Sequence, residues 1–260
     1  MPELPAVKKP WALITGGSRG LGFALARECV RYGYNLFLIS RTEETLQQAA
    51  DTLRSEGDCR VEILPMDLTR DHAVQEVSRA LKERGVVPQM WVNNAGTARY
   101  ERFAHVTFEE ETGMTRLNIL SLTAMTRLAL KTMEKGYLVN VASTAAFAPG
   151  PGSALYYATK SFVLNFTLAL AYEEAKAPVT ISVLCPGPLD TELLKKRGNK
   201  GKRASFLIMD PEKAARYALK KVLRGKKLVI PGLLNQAVVL CARFLPLDWI
   251  TKLIGRSNLR

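Results

Sequence analysis

The sequence predicts an α/β fold, a doubly wound parallel sheet of about seven strands with helices on both faces. Three observations carry this expectation. Seven short apolar runs punctuate the chain, stretches of helical periodicity separate most of them, and a glycine-rich turn directly follows the first run. Buried parallel strands read as short, nearly continuous apolar runs, and joining them requires crossovers of a dozen or more residues, usually helices.

Trp11–Thr15 (WALIT) stops at Gly16 and reads as the first strand. From Gly20 to Tyr32, Leu21, Leu25, Cys29 and Tyr32 recur at helical spacing, and Gly33 closes that helix. Leu36–Ile39 is the second strand and Thr42–Ser55 a polar helix. Further strands are expected at Val61–Leu64, Met90–Val92, Tyr137–Val141, Val179–Leu184 and Lys227–Ile230, with long helices over Phe108–Glu134 and Ala154–Ala175. No repeat, low-complexity tract or linker intervenes, so residues 1–260 read as a single domain. Two segments break the rhythm. Residues 190–209 carry KKRGNKGKR between Leu193–Leu194 and Phe206–Ile208, and a loop this long in a compact domain reads as a lid. Residues 231–260 form an apolar and basic tail interrupted by Pro246.

A chain of 260 residues buries a full core without disulfides or metals. Its 47% hydrophobic and 23% charged residues are ordinary for a soluble globular protein. Cys29, Cys59, Cys185 and Cys241 are scattered, with no C-x-x-C and no histidine pair at ligand spacing. This points away from structural zinc and towards a reducing compartment, with each cysteine read as a small core residue. The start, MPELPAVKKPW, lacks the apolar stretch of a signal peptide, and no uninterrupted apolar run is long enough to span a bilayer. The expected location is cytoplasmic. The net charge of +13 is unevenly distributed: residues 190–260 hold 17 Lys+Arg against 5 Asp+Glu, whereas residues 1–189 hold 20 against 19.

The turn after the first strand reads TGGSRGLG, Thr15 to Gly22. Gly16 suits a tight turn, Gly20 lets the backbone approach a phosphate, and Gly22 allows helix and strand to pack closely. The helix start behind them offers free N–H groups and a positive dipole end to a pyrophosphate. No Lys-Ser/Thr follows the last glycine, so this is not a nucleotide-kinase loop. Glycines spaced T-G-x-x-x-G-x-G between a strand and a helix resemble the motif of the short-chain dehydrogenase/reductase family, and the fold becomes a Rossmann-type one.

The resemblance runs from about Trp11 to about Ile230 and rests on further motifs in order. Asn93-Asn94-Ala95-Gly96 resembles the family's NNAG element, and Asp67-Leu68 its adenine-contacting dipeptide. Cys185-Pro186-Gly187 through Thr191 resembles the loop that meets the nicotinamide carboxamide. With Gly16, Ser18, Arg19, Gly20, Leu21 and Gly22, the resemblance implies that Asn94, Ala95, Gly96, Asp67, Leu68, Pro186, Gly187 and Thr191 bind the cofactor. At the end of the second strand, where an acid would favour NAD, stand Ser40 and Arg41. A guanidinium pairs with a 2′-phosphate that a carboxylate would repel, and Arg19 lies where a second cation reaches the same group. The expected cofactor is NADP(H).

Tyr156 and Lys160 are four residues apart at the start of a helix, so their side chains share one face. An ammonium beside a phenol favours phenolate and lowers the tyrosine pKa towards a useful range. Tyr157 competes, but the family's Y-x-x-x-K spacing selects Tyr156. Ser143, thirteen residues before Tyr156, is placed to orient a substrate oxygen, with Thr144 as the weaker alternative. Asn118, in RLNILS, resembles the asparagine that helps hold a proton-relay water near the lysine. Asn118, Ser143, Tyr156 and Lys160 thus complete the family's catalytic tetrad, with Tyr156 and Lys160 also meeting the cofactor. The two histidines, His72 and His105, accompany no evident nucleophile, which leaves a serine hydrolase unsupported.

The resemblance implies ketone–alcohol interconversion, in the reductive direction for NADP(H). Phe147, Pro149 and the lid suggest an apolar pocket for a lipidic carbonyl, with 3-oxoacyl-like and steroid-like substrates both open. The alternative is a catalytically silent NADP-binding sensor or scaffold, against which the intact tetrad speaks. A methyltransferase on a similar sheet is opposed by Arg41. No metal is expected and no nucleic-acid partner. A homodimer through the two long helices is expected from the resemblance. The stretch Leu233–Leu247 reads either as an interfacial membrane anchor or as packing on the protein's own surface or on a dimer mate.

Overall fold

The computed structural model describes residues 9–191 and 208–259. Seven parallel strands form one sheet in the order β3-β2-β1-β4-β5-β6-β7. They are β1 (Trp11–Thr15), β2 (Asn35–Ser40), β3 (Val61–Pro65), β4 (Pro88–Asn93), β5 (Gly136–Val141), β6 (Val179–Leu184) and β7 (Leu228–Val229). Each falls on an apolar run named above. β1, β2 and β6 are buried along almost their whole length, because helices cover both faces of a parallel sheet.

The helices are α1 (Gly20–Arg31), α2 (Glu43–Glu56), α3 (Ala73–Glu83), α4 (Phe108–Thr115), α5 (Leu122–Thr132), α6 (Ala154–Glu173), α7 (Pro211–Val222), α8 (Leu233–Phe244) and α9 (Leu247–Asn258). Two apolar clusters flank the sheet. Leu25, Leu38, Leu46, Val92, Ala214 and Leu219 belong to one. Phe37, Trp91, Val77, Met125, Leu138 and Ile181 belong to the other. The single helix expected over Phe108–Glu134 is instead α4 and α5 joined by a π-helical segment, Arg116–Ser121, and it ends at Thr132. An extra residue in one turn locally shifts the apolar periodicity and re-aims the side chains there.

A thread of buried polar side chains crosses the middle of the sheet. Trp91 Nε1 donates to Asn93 Oδ1 at 2.9 Å, and Asn93 Nδ2 donates to Asn140 Oδ1 at 2.9 Å and to Thr126 Oγ1 at 3.1 Å. Asn140 Nδ2 then donates to Thr167 Oγ1 at 3.1 Å. These bonds tie β4, β5, α5 and α6 together, and each buried amide needs them to avoid a desolvation cost.

The cysteine expectation holds for Cys29 and Cys185, which are buried, and is corrected for Cys241, which is exposed on α8. The reason is that much of α8 and α9 lies at the surface. Leu233, Phe244, Trp249 and Leu253 are all more than two-thirds exposed, at 82%, 81%, 68% and 67%. The two helices are nonetheless anchored from beneath by buried Val239 and Ile250. No helix among the described residues is long and apolar enough to cross a membrane.

Candidate active site

The order of the strands reverses direction between β1 and β4, and the chain ends of these two strands open a crevice of the kind where α/β sheets bind ligands. The glycine loop leaves β1 there. Gly16 (φ +66°) turns the chain, its N–H donating to Ile39 O at 2.7 Å, and Gly20 (φ +55°) makes the second left-handed step. A Cβ on Gly22 would lie 2.1 Å from Gly16 O, so α1 packs on the loop only without a side chain at that position. Arg19 is the N-cap of α1, with no side-chain hydrogen bond capping the helix and no acid in its first turn. That end therefore presents amides and a positive dipole to an anion, and the loop fits a dinucleotide pyrophosphate.

The NNAG element is fastened to this loop. Thr15 Oγ1 accepts Asn94 N at 3.0 Å and Ala95 N at 2.9 Å, and Asn94 Nδ2 donates to Thr15 O at 3.0 Å and Gly16 O at 3.2 Å. The Asn94 amide thus holds the loop's backbone. Thr191 reaches the loop from the opposite side, its Cγ2 3.3 Å from where a Gly20 Cβ would stand.

At the far end, Ser18 and Ser40 hydroxyls pair at 3.0 Å, while Arg19 and Arg41 are exposed beside them in the chain. Burial pushes the Asp67 carboxyl up. Hydrogen bonds from Thr69 N (2.9 Å) and Oγ1 (2.8 Å), with Arg41 and Arg70 nearby, outweigh burial and hold the carboxyl below the usual range. Leu68 is buried, and its carbonyl accepts the Ser121 hydroxyl at 2.5 Å, which ties this loop to the π-helical segment.

The structure brings the four tetrad positions together. Tyr156 and Lys160 lie one turn apart on α6, both buried, with Lys160 Nζ 5.9 Å from the centre of the Tyr156 ring. Lys160 Nζ donates to Val141 O at 2.9 Å. Ser143 follows β5 and caps the 3-10 turn Thr144–Phe147, its Oγ accepting Ala145 N at 3.1 Å and hydrogen-bonding the Tyr156 side chain. Asn118 sits in the π-helical segment. Its Oδ1 accepts Thr97 N at 2.9 Å, and its Nδ2 donates to Thr97 O at 2.9 Å and Thr159 Oγ1 at 3.1 Å. Gly96 fits between, since a Cβ there would be 3.2 Å from Asn118 Oδ1 and 3.4 Å from Lys160 Nζ.

Burial pushes the Tyr156 phenol above its ordinary pKa, nearby Tyr100 adds to this, and the hydrogen bond with Ser143 opposes it. Burial also brings Lys160 down, to about 8. The direction for Tyr156 is therefore the reverse of the sequence expectation. Desolvation dominates at both groups, and the ammonium donates to the Val141 carbonyl. The phenol is held in its protonated form, the form that donates.

Sequence reasoning missed Thr15 and Thr159, which position Asn94 and Asn118 through contacts invisible to short-range pattern. It also missed Tyr100, whose ring lies 6.2 Å from that of Tyr156. Phe147 and Pro149 do line an apolar cleft of about 510 Å³, with Pro151, Tyr157, Ser161 and Leu247 of α9. Tyr156 is not in its lining, so the cleft lies across α6 from the tetrad. Arg243 of α8 lies over the Phe147 ring at 5.8 Å. Of the proposed lid, residues 192–207 fall outside the described residues.

The comparisons agree with this geometry. Residues 10–202 match the family model described as short chain dehydrogenase. The chain is 38% identical over 196 residues, 73% of its length, to 17-beta-hydroxysteroid dehydrogenase type 3 of Mus musculus, and it spans 63% of that protein. It is 32% identical over 231 residues to the 3-oxoacyl-[acyl-carrier-protein] reductase of Bos taurus, covering 84% of this chain and 95% of the relative. A solved short-chain dehydrogenase from Sphingobium yanoikuyae in complex with NADPH superposes with a TM-score of 0.79 at 28% identity, over 91% of this chain and 96% of that one. A glycine loop stapled to an NNAG turn, a tyrosine and lysine one helical turn apart, and a match over more than half the sequence together leave one conclusion: the chain belongs to the short chain dehydrogenase family.

Proposed function

We propose that this protein is an NADP(H)-dependent reductase that converts a lipidic ketone, 3-oxoacyl-like or steroid-like, to the secondary alcohol. The observation that carries this reading is the convergence of Ser143, Tyr156, Lys160 and Asn118 at the mouth of the crevice beside the glycine loop. When bound, the cofactor supplies a hydride to the carbonyl carbon. Ser143 and Tyr156 hydrogen-bond the substrate oxygen, and the protonated Tyr156 hydroxyl gives that oxygen its proton. Lys160 then stabilises the phenolate left behind, and Asn118 fixes the backbone at Thr97 beside it.

Gly16, Ser18, Arg19, Gly20, Leu21 and Gly22 hold the pyrophosphate in this reading. Ser40 and Arg41 take the 2′-phosphate, Asp67 and Leu68 border the adenine, and Asn94, Ala95 and Gly96 wall the ribose. Pro186, Gly187 and Thr191 face the nicotinamide. Support for NADP(H) comes from the absence of an acid at Ser40–Arg41 and from the relative solved with NADPH, although other relatives were solved with NAD or NADH. Support for the substrate class comes from the names of the hydroxysteroid and 3-oxoacyl relatives. A homodimer through the α4–α5 and α6 helices is favoured by Leu120 and the stacked, part-exposed Phe162–Phe166 pair on their surfaces. Peripheral membrane contact is favoured by the exposed apolar face of α8 and α9.

The deciding experiment is NADPH consumption across a ketone panel weighted towards 3-oxoacyl thioesters and steroids. Activity is expected with NADPH well above NADH, and Tyr156→Phe should lose about a hundredfold or more in kcat while still binding NADPH. Near-normal turnover by that variant removes Tyr156 as the acid, and equal kcat/KM with both cofactors removes the NADP preference.

A further inference from the structure

Asn235 is only 4% exposed, in the first turn of a helix whose outward residues are open to solvent. Its whole amide lies against Gly187. A Cβ on Gly187 would stand 2.3 Å from Asn235 Oδ1 and 2.4 Å from both Cγ and Nδ2. Gly187 is not among the glycines with a positive φ, so its backbone would accept an alanine. It is the Asn235 side chain that a methyl there would displace.

The amide is fixed from its own side as well. Asn235 Nδ2 donates to Pro231 O at 3.1 Å, across the turn in which Gly232 (φ +89°) begins α8. The next residue, Gln236, donates to Ile230 O at 2.8 Å and to the Tyr217 hydroxyl at 2.9 Å, which ties α8 to the end of β7 and to α7. Across the loop, Pro186 O accepts Thr144 N at 2.9 Å and lies 3.5 Å from Ser143 Oγ. The Pro186–Gly187 segment is therefore clamped between the Ser143–Thr144 turn and Asn235.

We propose that Asn235 is a positioning residue that holds the Pro186–Gly187 loop against the Ser143 turn and makes the first turn of α8 part of the wall of the cofactor site. The kinetic consequence rests on the reductase reading given above, whereas the interlock of Asn235 with Gly187 does not. Removing the amide leaves a void behind Gly187, which has no side chain of its own to fill it. The loop then moves relative to Ser143, and small displacements of a group that orients reactants are costly in rate.

The test is a double-mutant cycle of Asn235→Ala and Gly187→Ala, read in NADPH affinity and kcat/KM with an active ketone, and separately in the thermal stability of the cofactor-free protein. Each single variant is expected to weaken NADPH binding and kcat/KM by about tenfold or more at temperatures far below its melting point. The double variant should recover part of the Gly187→Ala loss, because the new methyl occupies space the amide has vacated. Strict additivity in stability overturns the interlock. Wild-type NADPH affinity and turnover in Asn235→Ala overturn the positioning role. Should Gly187→Ala not fold, Asn235→Ala and Asn235→Asp carry the same readouts. A wild-type chain that binds no NADPH sinks the reductase reading instead, and the stability cycle still decides the interlock.

Discussion

Lys160 is held at a cost. The residue is 6% exposed, its ammonium donates to Val141 O, and burial brings its pKa from the usual 10.5 down to about 8. Below pH 8 the folded protein carries a charge that the unfolded chain solvates better. Between about pH 8 and 10.5 the folded state has released this proton and the unfolded chain still binds it, so this group makes stability rise with pH across that window. Lys160→Met is therefore expected to stabilise the cofactor-free protein at pH 7 by on the order of 2 kcal/mol while abolishing reduction. Denaturant titrations of both proteins between pH 7 and 10.5 check this. The variant's advantage should shrink as pH rises, and an advantage independent of pH would contradict the assignment. Lys160 and Tyr156 were picked out by the Y-x-x-x-K spacing of the family that the sequence resembles. Their electrostatics were not, because burial and the Val141 carbonyl are properties of the packed helix and strand.

At the level of elements, α1 depends on the absence of a single methyl. Gly22→Ala places a Cβ 2.1 Å from a backbone carbonyl, which cannot swing aside as a side chain does. Helix and loop must part, at about 2–3 kcal/mol, with a drop of about 5–10 °C in Tm and loss of NADPH affinity, measurable by scanning calorimetry and fluorescence titration. Retained affinity would show that the loop tolerates displacement. The sequence placed α1, its preceding strand and these glycines because a strand, a turn and an amphipathic helix are all local patterns. The π-helical segment was not legible in the long helix. It inserts one residue within a continuous helical stretch, and what favours it, Asn118 bridging to Thr97 and Thr159, lies 21 and 41 residues away in sequence. Asn235 was hidden for the same reason, since it faces a glycine 48 positions earlier.

Across the whole molecule, the sheet sets the crevice and the C-terminal quarter sets a second surface. The exposed Leu233, Phe244, Trp249 and Leu253 lie in helices that carry Arg243, Lys252 and Arg256, in a segment with 17 basic and 5 acidic residues. Apolar residues with an interfacial tryptophan and flanking cations suit the boundary of an anionic bilayer. Flotation with vesicles containing phosphatidylglycerol should recover the protein, and vesicles of phosphatidylcholine alone should recover much less. Phe244→Glu with Leu253→Glu should abolish recovery without changing NADPH binding. A change of oligomeric state in that variant, with no flotation by the wild type, would assign the surface to a second copy of the chain. The charge asymmetry was readable at once, but which residues stay uncovered depends on how α8 and α9 pack, and no local pattern states that.

The polar thread through the sheet has a consequence for how these strands find each other. Asn93 of β4 pairs directly with Asn140 of β5, and their amides bond there with Thr126 and Thr167 supplied from the flanking helices. The apolar neighbours on these strands would tolerate sliding by two residues with little loss of contact. The amides would not, because each would be left in a dry interior without its complement. The thread is thus a key cut for one alignment. The stagger it enforces is carried to the strand ends, where the loops bearing Asn94 and Ser143 leave β4 and β5.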